Sequence, residues 1–300
     1  MRNDNIRGIA MMIASMAFFA IEDLFLKFLG PVMPPHQILF LVGYGGALAF
    51  ALWALTLRTP LFNAQTWDRL VLIRILCDFF GAAFFILAIV SIPLSSLAAI
   101  IQAIPLFVTL GAVLFLNERV GIRRWAAILI GFGGVLLIVR PGAADFQIGM
   151  VYAVISVAML ALRDMLMRVI KTTLHSASFG FYGFFAMGTA GVLIWPFSDH
   201  MIQPNAVEWV YIFVAIITAV LGYFAIIIST RIAEASTVAP YRYSRLIFST
   251  LLAMAFLGER PDLLTWVGSA IVIASGLYTF WRERVRAKGE FPKVTCLRNC

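Results

Sequence analysis

Long apolar runs separated by short polar links follow one another along the sequence. Runs of about 17–25 apolar residues are long enough to cross a bilayer as helices. The links carry turn residues, as in GPVMPPH at 30–36 and GERPD at 258–262. The pattern therefore predicts an all-α integral membrane protein with ten transmembrane helices. The ten predicted spans are residues 7–29, 36–57, 69–90, 95–116, 122–140, 148–170, 178–197, 207–230, 237–257 and 263–281.

The composition agrees with this pattern. Of the 300 residues, 62% are hydrophobic and 13% are charged, and the mean hydropathy is +0.95. A soluble domain averages roughly half apolar and a quarter charged residues. The first run is not followed by a small-residue cleavage site and a soluble domain, so it is predicted to be a true span and not a signal peptide. We expect no separate extramembrane domain.

Basic residues are distributed unevenly between the two sides of the predicted membrane. If the N-terminus is cytoplasmic, fourteen lysines and arginines lie on the inner side, against Lys27, Arg140 and Arg260 on the outer side. This positive-inside bias predicts a multi-pass protein of the cell inner membrane with both termini in the cytoplasm. The net charge of +8 then reflects topology and contact with anionic lipid heads. Membrane lipids are expected partners, nucleic acids are not, and the chain is expected to be a monomer or a homodimer.

The sequence has no pattern typical of a metal or cofactor site. The three histidines lie in links far apart, Cys77 lies in the third run, and Cys296 and Cys300 lie near the C-terminus. A cytoplasmic, reducing side argues against a disulfide in the tail. An enzyme embedded in the membrane would need a nucleophile with a base, or a cluster of metal ligands. We therefore expect no metal, no cofactor and no enzymatic activity.

The sequence repeats itself after 141 residues. Ser15 falls on Ser156, and LNER at 116–119 falls on LGER at 257–260. Because each repeat has five spans, an odd number, the second repeat is expected to enter the membrane from the opposite side. Such inverted-topology repeats are typical of secondary transporters, whose substrate site lies near the midplane between the halves. The predicted domains are two five-helix repeats and a basic cytoplasmic tail, at residues 1–141, 142–282 and 283–300.

Ten spans in a five-plus-five repeat, with a Glu–Arg pair closing the fourth and ninth spans, resemble the drug/metabolite transporter superfamily, and in particular its EamA branch. The resemblance covers essentially the whole chain. EDLFLKFLG at 22–30, GFGGVLLIVRP at 131–141 and ASTVAPYRYSRL at 235–246 are similar to the S-adenosylmethionine uptake carriers and related metabolite permeases. The resemblance implies transport of small metabolites, which in EamA relatives include amino acids, vitamins, nucleotide-like compounds and amines, in either direction.

Charged residues inside the apolar runs need an explanation, because ionisable groups at membrane depth are costly and usually face a cavity, a partner or a pathway. Asp23 and Lys27 are four residues apart and lie on one helix face. Asp164 and Arg168 repeat both this spacing and these signs. We predict that each pair neutralises itself locally and serves the fold more than transport.

Other charges inside the runs have no counterpart of the same sign in the other repeat. A residue that contacts an asymmetric substrate need not be repeated, so these positions are candidate substrate contacts. Glu22 corresponds to Arg163, while Arg242 and Arg245 correspond to isoleucines. Arg74 and Asp78 correspond to alanines, and their spacing of four residues makes a self-neutralising pair one of two interpretations, the other being a functional role.

Arg242 lies in PYRYSR at 240–245, where Pro240 frees a backbone carbonyl and Tyr241 and Tyr243 flank the arginine. Arginine offers planar donors to a carboxylate, and tyrosine offers a stacking face with a hydroxyl. The alternative is that Arg242 extends along the helix to the cytoplasmic interface. Gln102 is a further candidate, because a proline three residues later permits a hinge or a cavity in the fourth span.

These residues predict a secondary transporter that moves a small polar organic metabolite by alternating access. The mixture of charges suits a zwitterionic or multiply functional substrate that is amino-acid-derived, nucleoside-like or vitamin-like, with S-adenosylmethionine and riboflavin as candidates. Export of amino acids, amines or an amino-acid-derived metabolite is the alternative, and a passive channel is the rival from another class. Proton coupling through Glu22, Asp78 or Asp164, and exchange, both remain open. The predicted cavity is lined by Tyr241, Arg242, Tyr243, Arg245, Arg163 and Asp164, with Glu22 and Asp23 nearer its outer end.

Overall fold

The computed structural model describes residues 2–115, 121–143, 146–170, 174–198 and 200–289. These residues form helices and turns, with no strand among them. Short 3₁₀ turns occupy Ala64–Trp67, Trp195–Phe197 and Ala239–Tyr243. The α-helices are α1 (Arg2–Leu29), α2 (Pro35–Thr56), α3 (Arg69–Ser91), α4 (Leu94–Ile101), α5 (Ile104–Phe115), α6 (Ile122–Val139), α7 (Ile148–Val169), α8 (Ser176–Ile194), α9 (Ala206–Ile232), α10 (Ala235–Val238), α11 (Ser244–Phe256) and α12 (Leu263–Gly289).

Eight helical segments among the described residues are long and apolar enough to cross a membrane. They coincide with eight of the ten predicted spans and confirm a multi-pass, all-helical membrane protein. The other two predicted spans also fall on helices, but on shorter ones. The predicted span 122–140 forms α6, whose apolar part is limited to Trp125–Val139, because basic residues occupy its first turn. The predicted span 237–257 is divided between α10, a 3₁₀ turn and α11.

Two predicted spans are interrupted rather than continuous. The α-helical pattern stops between α4 and α5, where Ala103 N donates to Ile100 O at 3.0 Å in a tighter turn. Pro105, which has no N–H to bond four residues back, follows at once. The fourth span is thus broken next to Pro105, where the sequence predicted a hinge or a cavity. Pro240 interrupts the second segment, at a position that the 141-residue repeat places close to the first break.

The two interruptions meet inside the protein. The side-chain amide of Gln102, at the end of α4, lies 3.5 Å from the carbonyl oxygen of Arg242, in the 3₁₀ turn before α11. Each broken helix exposes backbone groups that a continuous helix would bond internally. The centre of the molecule is therefore less uniformly apolar than the hydropathy pattern indicates.

The main helix contacts join the first half of the chain to the second. α1 packs on α9, α3 on α7, α2 on α8, α4 on α11 and α6 on α12. The hydroxyl of Ser15 donates to Gly222 O at 2.7 Å, and that of Ser156 donates to Gly81 O at 2.8 Å. Ser156 is the repeat counterpart of Ser15, and Gly81 is that of Gly222, each 141 residues away, so exchanging the two repeats converts the first bond into the second. The two halves therefore use equivalent residues to bind one another.

Glycine allows the closest of these approaches. A Cβ atom on Gly134 of α6 would lie 2.9 Å from the carbonyl oxygen of Gly268 on α12, closer than a carbon side chain tolerates. The GFGG sequence at 131–134 accordingly serves helix packing, as small residues commonly do between membrane helices.

Candidate functional site

A cavity of about 250 Å³ lies between the two halves, bordered by α1, α3, α4, α5, α7, α8, α9, α11 and the 3₁₀ turn before α11. Its position along the helices is off-centre. The residues that line it include Arg74 near the beginning of α3, Phe179 near the beginning of α8 and Ile226 in the last third of α9. These helix ends lie on one side of the bundle, so the cavity extends toward that side. The charged lining residues are Glu22, Arg74, Asp78, Arg163, Arg242 and Arg245.

Asp23 and Arg245 form the best-defined ion pair beside this cavity. The Nη2 atom of Arg245 lies 2.7 Å from Asp23 Oδ1, and its Nε lies 3.1 Å from Oδ2. Ser249 Oγ lies 3.5 Å from the same carboxylate. Within this pair, Arg245 lines the cavity, and Asp23 is buried and is not part of the cavity lining. Two hydrogen bonds on a planar guanidinium fix both side chains.

The predicted pairing of Asp23 with Lys27 is wrong. Lys27 Nζ donates to Ile89 O at 2.8 Å and to Ile92 O at 2.7 Å instead. These carbonyls are at the C-terminal end of α3, where the last carbonyls have no partner within the helix. Lys27 therefore satisfies a helix terminus, and its neighbour Asp23 is left to bind an arginine of the other half.

A second network of alternating charges crosses the cavity from one half to the other. Arg74 Nη1 lies 3.0 Å from Asp78 Oδ2, which confirms the interpretation of these residues as an ion pair. Arg163 extends the network, because it contacts Asp78 at 3.3 Å and Asp164 at 2.8 Å. Asp164 also lies 3.5 Å from Arg242 Nη2. Asp78 and Asp164, the two carboxylates of this network, are thus each neutralised by at least one arginine.

The predicted pair of Asp164 and Arg168 is likewise wrong. Asp164 is bonded to Arg163, its neighbour in sequence, and faces Arg242. Arg168 lies exposed in the last turn of α7. A basic residue at a helix C-terminus interacts favourably with the helix dipole, which gives Arg168 a role without a carboxylate.

The structure separates the residues that flank Arg242. Tyr243 contributes to the cavity wall, but its hydroxyl lies against Gly276 of α12 and has no hydrogen-bond partner among the described residues. Tyr241 is 39% exposed and is outside the cavity lining. The prediction that both tyrosines line the cavity is therefore wrong for Tyr241. Gln102 and Arg242 both line it, and the side chain of Arg242 is 37% exposed.

Aromatic residues form a wall that the sequence did not single out. Phe19, Phe85, Phe184 and Tyr223 join Phe179 in the lining. The guanidinium of Arg245 lies 5.3 Å from the ring centre of Phe19 and 6.0 Å from that of Phe85, which are cation–π distances. With 26 phenylalanines in the chain, hydropathy alone cannot separate rings that face a cavity from rings that face lipid.

The other end of the bundle is closed by polar contacts between the halves. Glu259 accepts hydrogen bonds from Leu94 N at 2.7 Å, Ser95 N at 3.0 Å and Ser95 Oγ at 2.7 Å. It thereby caps the N-terminus of α4, which is in the first half. Glu259 thus anchors a helix end of the other half, and its repeat counterpart Glu118 lies outside the described residues.

An ion pair between Arg140 and Asp262 adds to this closure. Arg140 ends α6 in the left-handed conformation, with φ of 49°. Asp262 Oδ1 also accepts a hydrogen bond from Thr265 N at 3.1 Å, at the start of α12. The hydrogen bonding with Thr265, followed by that with Arg140, lowers the pKa of Asp262 below its usual value. The carboxylate is therefore charged, and able to hold the pair, at neutral pH.

No group of three or more His, Cys, Asp or Glu side chains in the described part of the chain is arranged to hold a metal ion. Cys77 is buried in α3, and Cys296 and Cys300 lie outside the described residues. The site contains arginine–carboxylate pairs and aromatic rings around a cavity that residues of both halves line.

The profile of the EamA-like transporter family matches residues 6–140 and 147–281. The chain belongs to this family, and the resemblance to drug/metabolite transporters inferred from its sequence is confirmed. It is a membrane transporter of small molecules and not an enzyme. A solved crystal structure superposes with a TM-score of 0.61 at 17% identity, covering 92% of this chain and 98% of the other, which supports the fold alone.

Individual relatives include an uptake transporter, a transporter whose name states no direction, and an exporter. The S-adenosylmethionine uptake transporter of Rickettsia bellii is 26% identical over 280 residues, 92% of this chain and 94% of that protein. The riboflavin transporter of Vibrio cholerae is 26% identical over 231 residues, 76% of this chain and 75% of that protein. The Pseudopaline exporter CntI of Pseudomonas aeruginosa strain UCBPP-PA14 is 22% identical over 269 residues, 89% of this chain and 94% of that protein.

Proposed function

We propose that this chain is a secondary transporter of the cell inner membrane that moves a small polar organic metabolite by alternating access. Its ten spans would form two inverted five-helix repeats, residues 1–141 and 142–282. The reciprocal bonds of Ser15 and Ser156 support this arrangement, since a two-fold axis between the halves would exchange them. The helix pairs support it as well, because α3 on α7 is the repeat equivalent of α9 on α1.

Two further observations support the proposed number of ten spans. α6 packs along α12, one of the eight long apolar segments, and the divided segment from α10 to α11 packs on α4. Broken helices at equivalent positions of two repeats are a recurrent feature of transporter binding sites. The break near Gln102 and the break near Arg242 both border the cavity, which supports a substrate site where the two meet.

The cavity supports a conformation open to the cytoplasm. The positive-inside bias predicts that the beginnings of α3 and α8 lie on the cytoplasmic side, and the cavity extends toward those ends. The contacts of Glu259 and the Arg140–Asp262 pair would then close the outer side. Transport requires that these contacts break when the cytoplasmic side closes, which defines the second state of the cycle.

One observation carries the substrate assignment: Arg242 lines the cavity, is partly exposed, and lies 3.5 Å from Asp164, which Arg163 already neutralises. Its guanidinium can therefore leave Asp164 and bind a carboxylate of the substrate, because Asp164 stays paired with Arg163. S-Adenosylmethionine carries such a carboxylate, and the likeness to the uptake transporters makes it the first substrate to test. Riboflavin has none and would depend on stacking against the aromatic wall.

Transport out of the cell is the alternative to uptake. The likeness to the pseudopaline exporter favours export of an amino-acid-derived metabolite as the second candidate function. The same cavity would serve either direction, because alternating access follows the gradients of substrate and coupling ion. A passive channel fits less well, since the closed outer end and the ion-paired cavity suit binding followed by release.

Transport in proteoliposomes tests the proposal. The purified full-length chain is reconstituted and loaded in turn with unlabelled S-adenosylmethionine, riboflavin or single amino acids, and uptake of the same labelled compound is measured. A carrier is expected to give saturable uptake that internal substrate accelerates. Flux that grows linearly with concentration and is not accelerated by internal substrate would identify a channel instead. The absence of uptake in both orientations for the whole panel would reject the proposed substrate class.

A further inference from the structure

Glu22 has a position unlike that of the other carboxylates around the cavity. It lines the cavity directly, on the face of α1 that also presents Met16, Phe19 and Leu26. Its carboxylate makes neither a hydrogen bond nor an ion pair with the residues that the structure describes. The neighbouring Asp23, by contrast, is buried against Arg245.

The four arginines around the cavity form their ion pairs with aspartates, and Arg242 pairs with Asp164. Arg245 is bound by Asp23, Arg74 by Asp78, and Arg163 by Asp78 and Asp164 together. A carboxylate in a membrane-embedded cavity normally faces a partner or a pathway. The three aspartates make direct ion pairs, whereas Glu22 has only a longer-range attraction to Arg245, so its carboxylate oxygens are available to a ligand.

The surroundings of Glu22 select among cations. An ammonium group needs several hydrogen-bond acceptors, and Met16, Phe19 and Leu26 on the same face offer none of adequate strength. Aromatic rings do attract cations that have no N–H groups. Phe19 and Phe85 already hold the guanidinium of Arg245 over their faces, so that this wall accommodates positive charge.

We propose that Glu22 binds a fixed positive charge of the transported metabolite, a sulfonium or quaternary ammonium group, against the aromatic wall of the cavity. This inference rests on the proposed transport function and adds a second contact to it. The substrate carboxylate binds Arg242 and its cationic centre binds Glu22, so the site selects a molecule with both charges. Glu22 and Arg163 are repeat counterparts that both line the cavity and carry opposite charges.

Two pairs of similar compounds, in each of which only one member carries a fixed positive charge, test this proposal. S-Adenosylmethionine and S-adenosylhomocysteine differ by a methyl group and the sulfonium charge. Glycine betaine and 3,3-dimethylbutanoate share a carboxylate and a shape, and differ in having nitrogen or carbon at the centre of charge. Equilibrium binding of all four is measured with the purified full-length protein. The wild type is expected to prefer the charged member of at least one pair by about tenfold or more.

Substitutions test whether Glu22 causes this preference for the charged probe. Glu22→Gln keeps the size of the side chain and is expected to bring the affinity ratio close to one by weakening only the charged probe. Glu22→Asp is expected to retain part of the preference. Glu208→Gln is the matched control, because Glu208 caps the start of α9 away from the cavity, and it is expected to leave the ratio unchanged.

The outcomes separate this inference from the proposed function. No charge preference in either probe pair, or a preference that survives in Glu22→Gln, overturns the role of Glu22. If Glu22→Gln removes proton-driven uptake and leaves the charge preference intact, Glu22 binds a proton and the inference is wrong. If Arg242→Gln leaves every affinity unchanged while Glu22→Gln abolishes the preference, Glu22 keeps its role and the assignment of Arg242 fails.

Discussion

Arg245 and Asp23, 222 positions apart in the sequence, are joined by hydrogen bonds of 2.7 and 3.1 Å that fix one half of the chain to the other. The pair lies at the edge of the cavity, with Arg245 in its wall and Asp23 buried behind it. Breaking a buried pair by removing one partner costs about 3–5 kcal/mol, because the remaining charge is left without compensation. This geometry makes the pair a structural element of the site.

Asp23→Asn is therefore expected to lower the unfolding temperature of the purified protein and its yield after membrane extraction. The double variant Asp23→Asn/Arg245→Gln is expected to recover part of the loss, because no buried charge then remains unpaired. Thermal unfolding followed by size-exclusion chromatography measures both variants. Wild-type stability of Asp23→Asn would contradict the structural role.

Arg242 is expected to contribute to affinity more than to stability. A hydrogen bond from a charged donor to a substrate carboxylate contributes about 1.5–3 kcal/mol, which corresponds to about one to two decades in affinity. Arg242→Gln is expected to lose most of this, and Arg242→Lys to retain part, since lysine keeps the charge without the planar fork. Competition uptake in proteoliposomes with S-adenosylmethionine gives the affinities.

Arg168→Gln provides the control for Arg242, because it removes an arginine that is exposed at the end of α7. We expect it to leave affinity unchanged. An arginine that merely reaches the membrane interface would be replaced by lysine without loss. Equal affinity of the wild type and Arg242→Lys would therefore reject a substrate contact.

Glu259 is expected to hold the outer end closed. Glu259→Gln retains one acceptor oxygen but loses the charge that three donors of α4 share, and each hydrogen bond to a charged group contributes about 1.5–3 kcal/mol. The population should shift toward a state that is open to the outside. A cysteine at Ser96, which is buried next to this contact, is expected to react several-fold faster with a membrane-impermeant maleimide in the Glu259→Gln background. An unchanged labelling rate would argue that Glu259 does not control opening.

Ser15 and Ser156 are expected to have equal effects on stability. Each alanine substitution removes one hydrogen bond between helices, which in membrane proteins contributes about 0.6 kcal/mol on average. Because the two bonds are repeat equivalents, Ser15→Ala and Ser156→Ala should lower the unfolding temperature by similar amounts. Thr230→Ala is the control, since Thr230 is exposed and bonds only within its own helix. A large difference between the two serine variants would count against a symmetric interface.

The topology can be tested by labelling introduced cysteines in intact cells. Positions 34 and 205 are expected to react with an impermeant reagent from outside, and positions 65 and 123 only after the membrane is permeabilised. The physical reason is the excess of arginine and lysine in the links around positions 65 and 123. Reaction of position 123 from outside would reverse the orientation and refute the inverted repeat.

Much of the fold could be predicted from the sequence because its causes are local. A helix is the structure that satisfies every backbone group within lipid by itself, so eight of the predicted spans match helices of spanning length. The identities of the charged cavity residues Glu22, Arg163, Arg242 and Arg245 could be predicted as well, because charge inside an apolar run is visible without knowledge of contacts.

The sequence by itself determined an all-helical membrane protein, its family and the set of charges that its interior must accommodate. Only the tertiary structure decided which charges meet. The spacing of four residues put Asp23 within reach of Lys27. In the structure, Lys27 donates instead to carbonyl oxygens at the end of α3, and Asp23 forms its ion pair with Arg245. Tyr241 and Tyr243 differ by two residues, but the 3₁₀ turn directs only Tyr243 to the cavity wall. The physical reason is competition: a charged side chain binds the strongest partner that packing brings near, and for Asp23 and Lys27 that partner belongs to another helix.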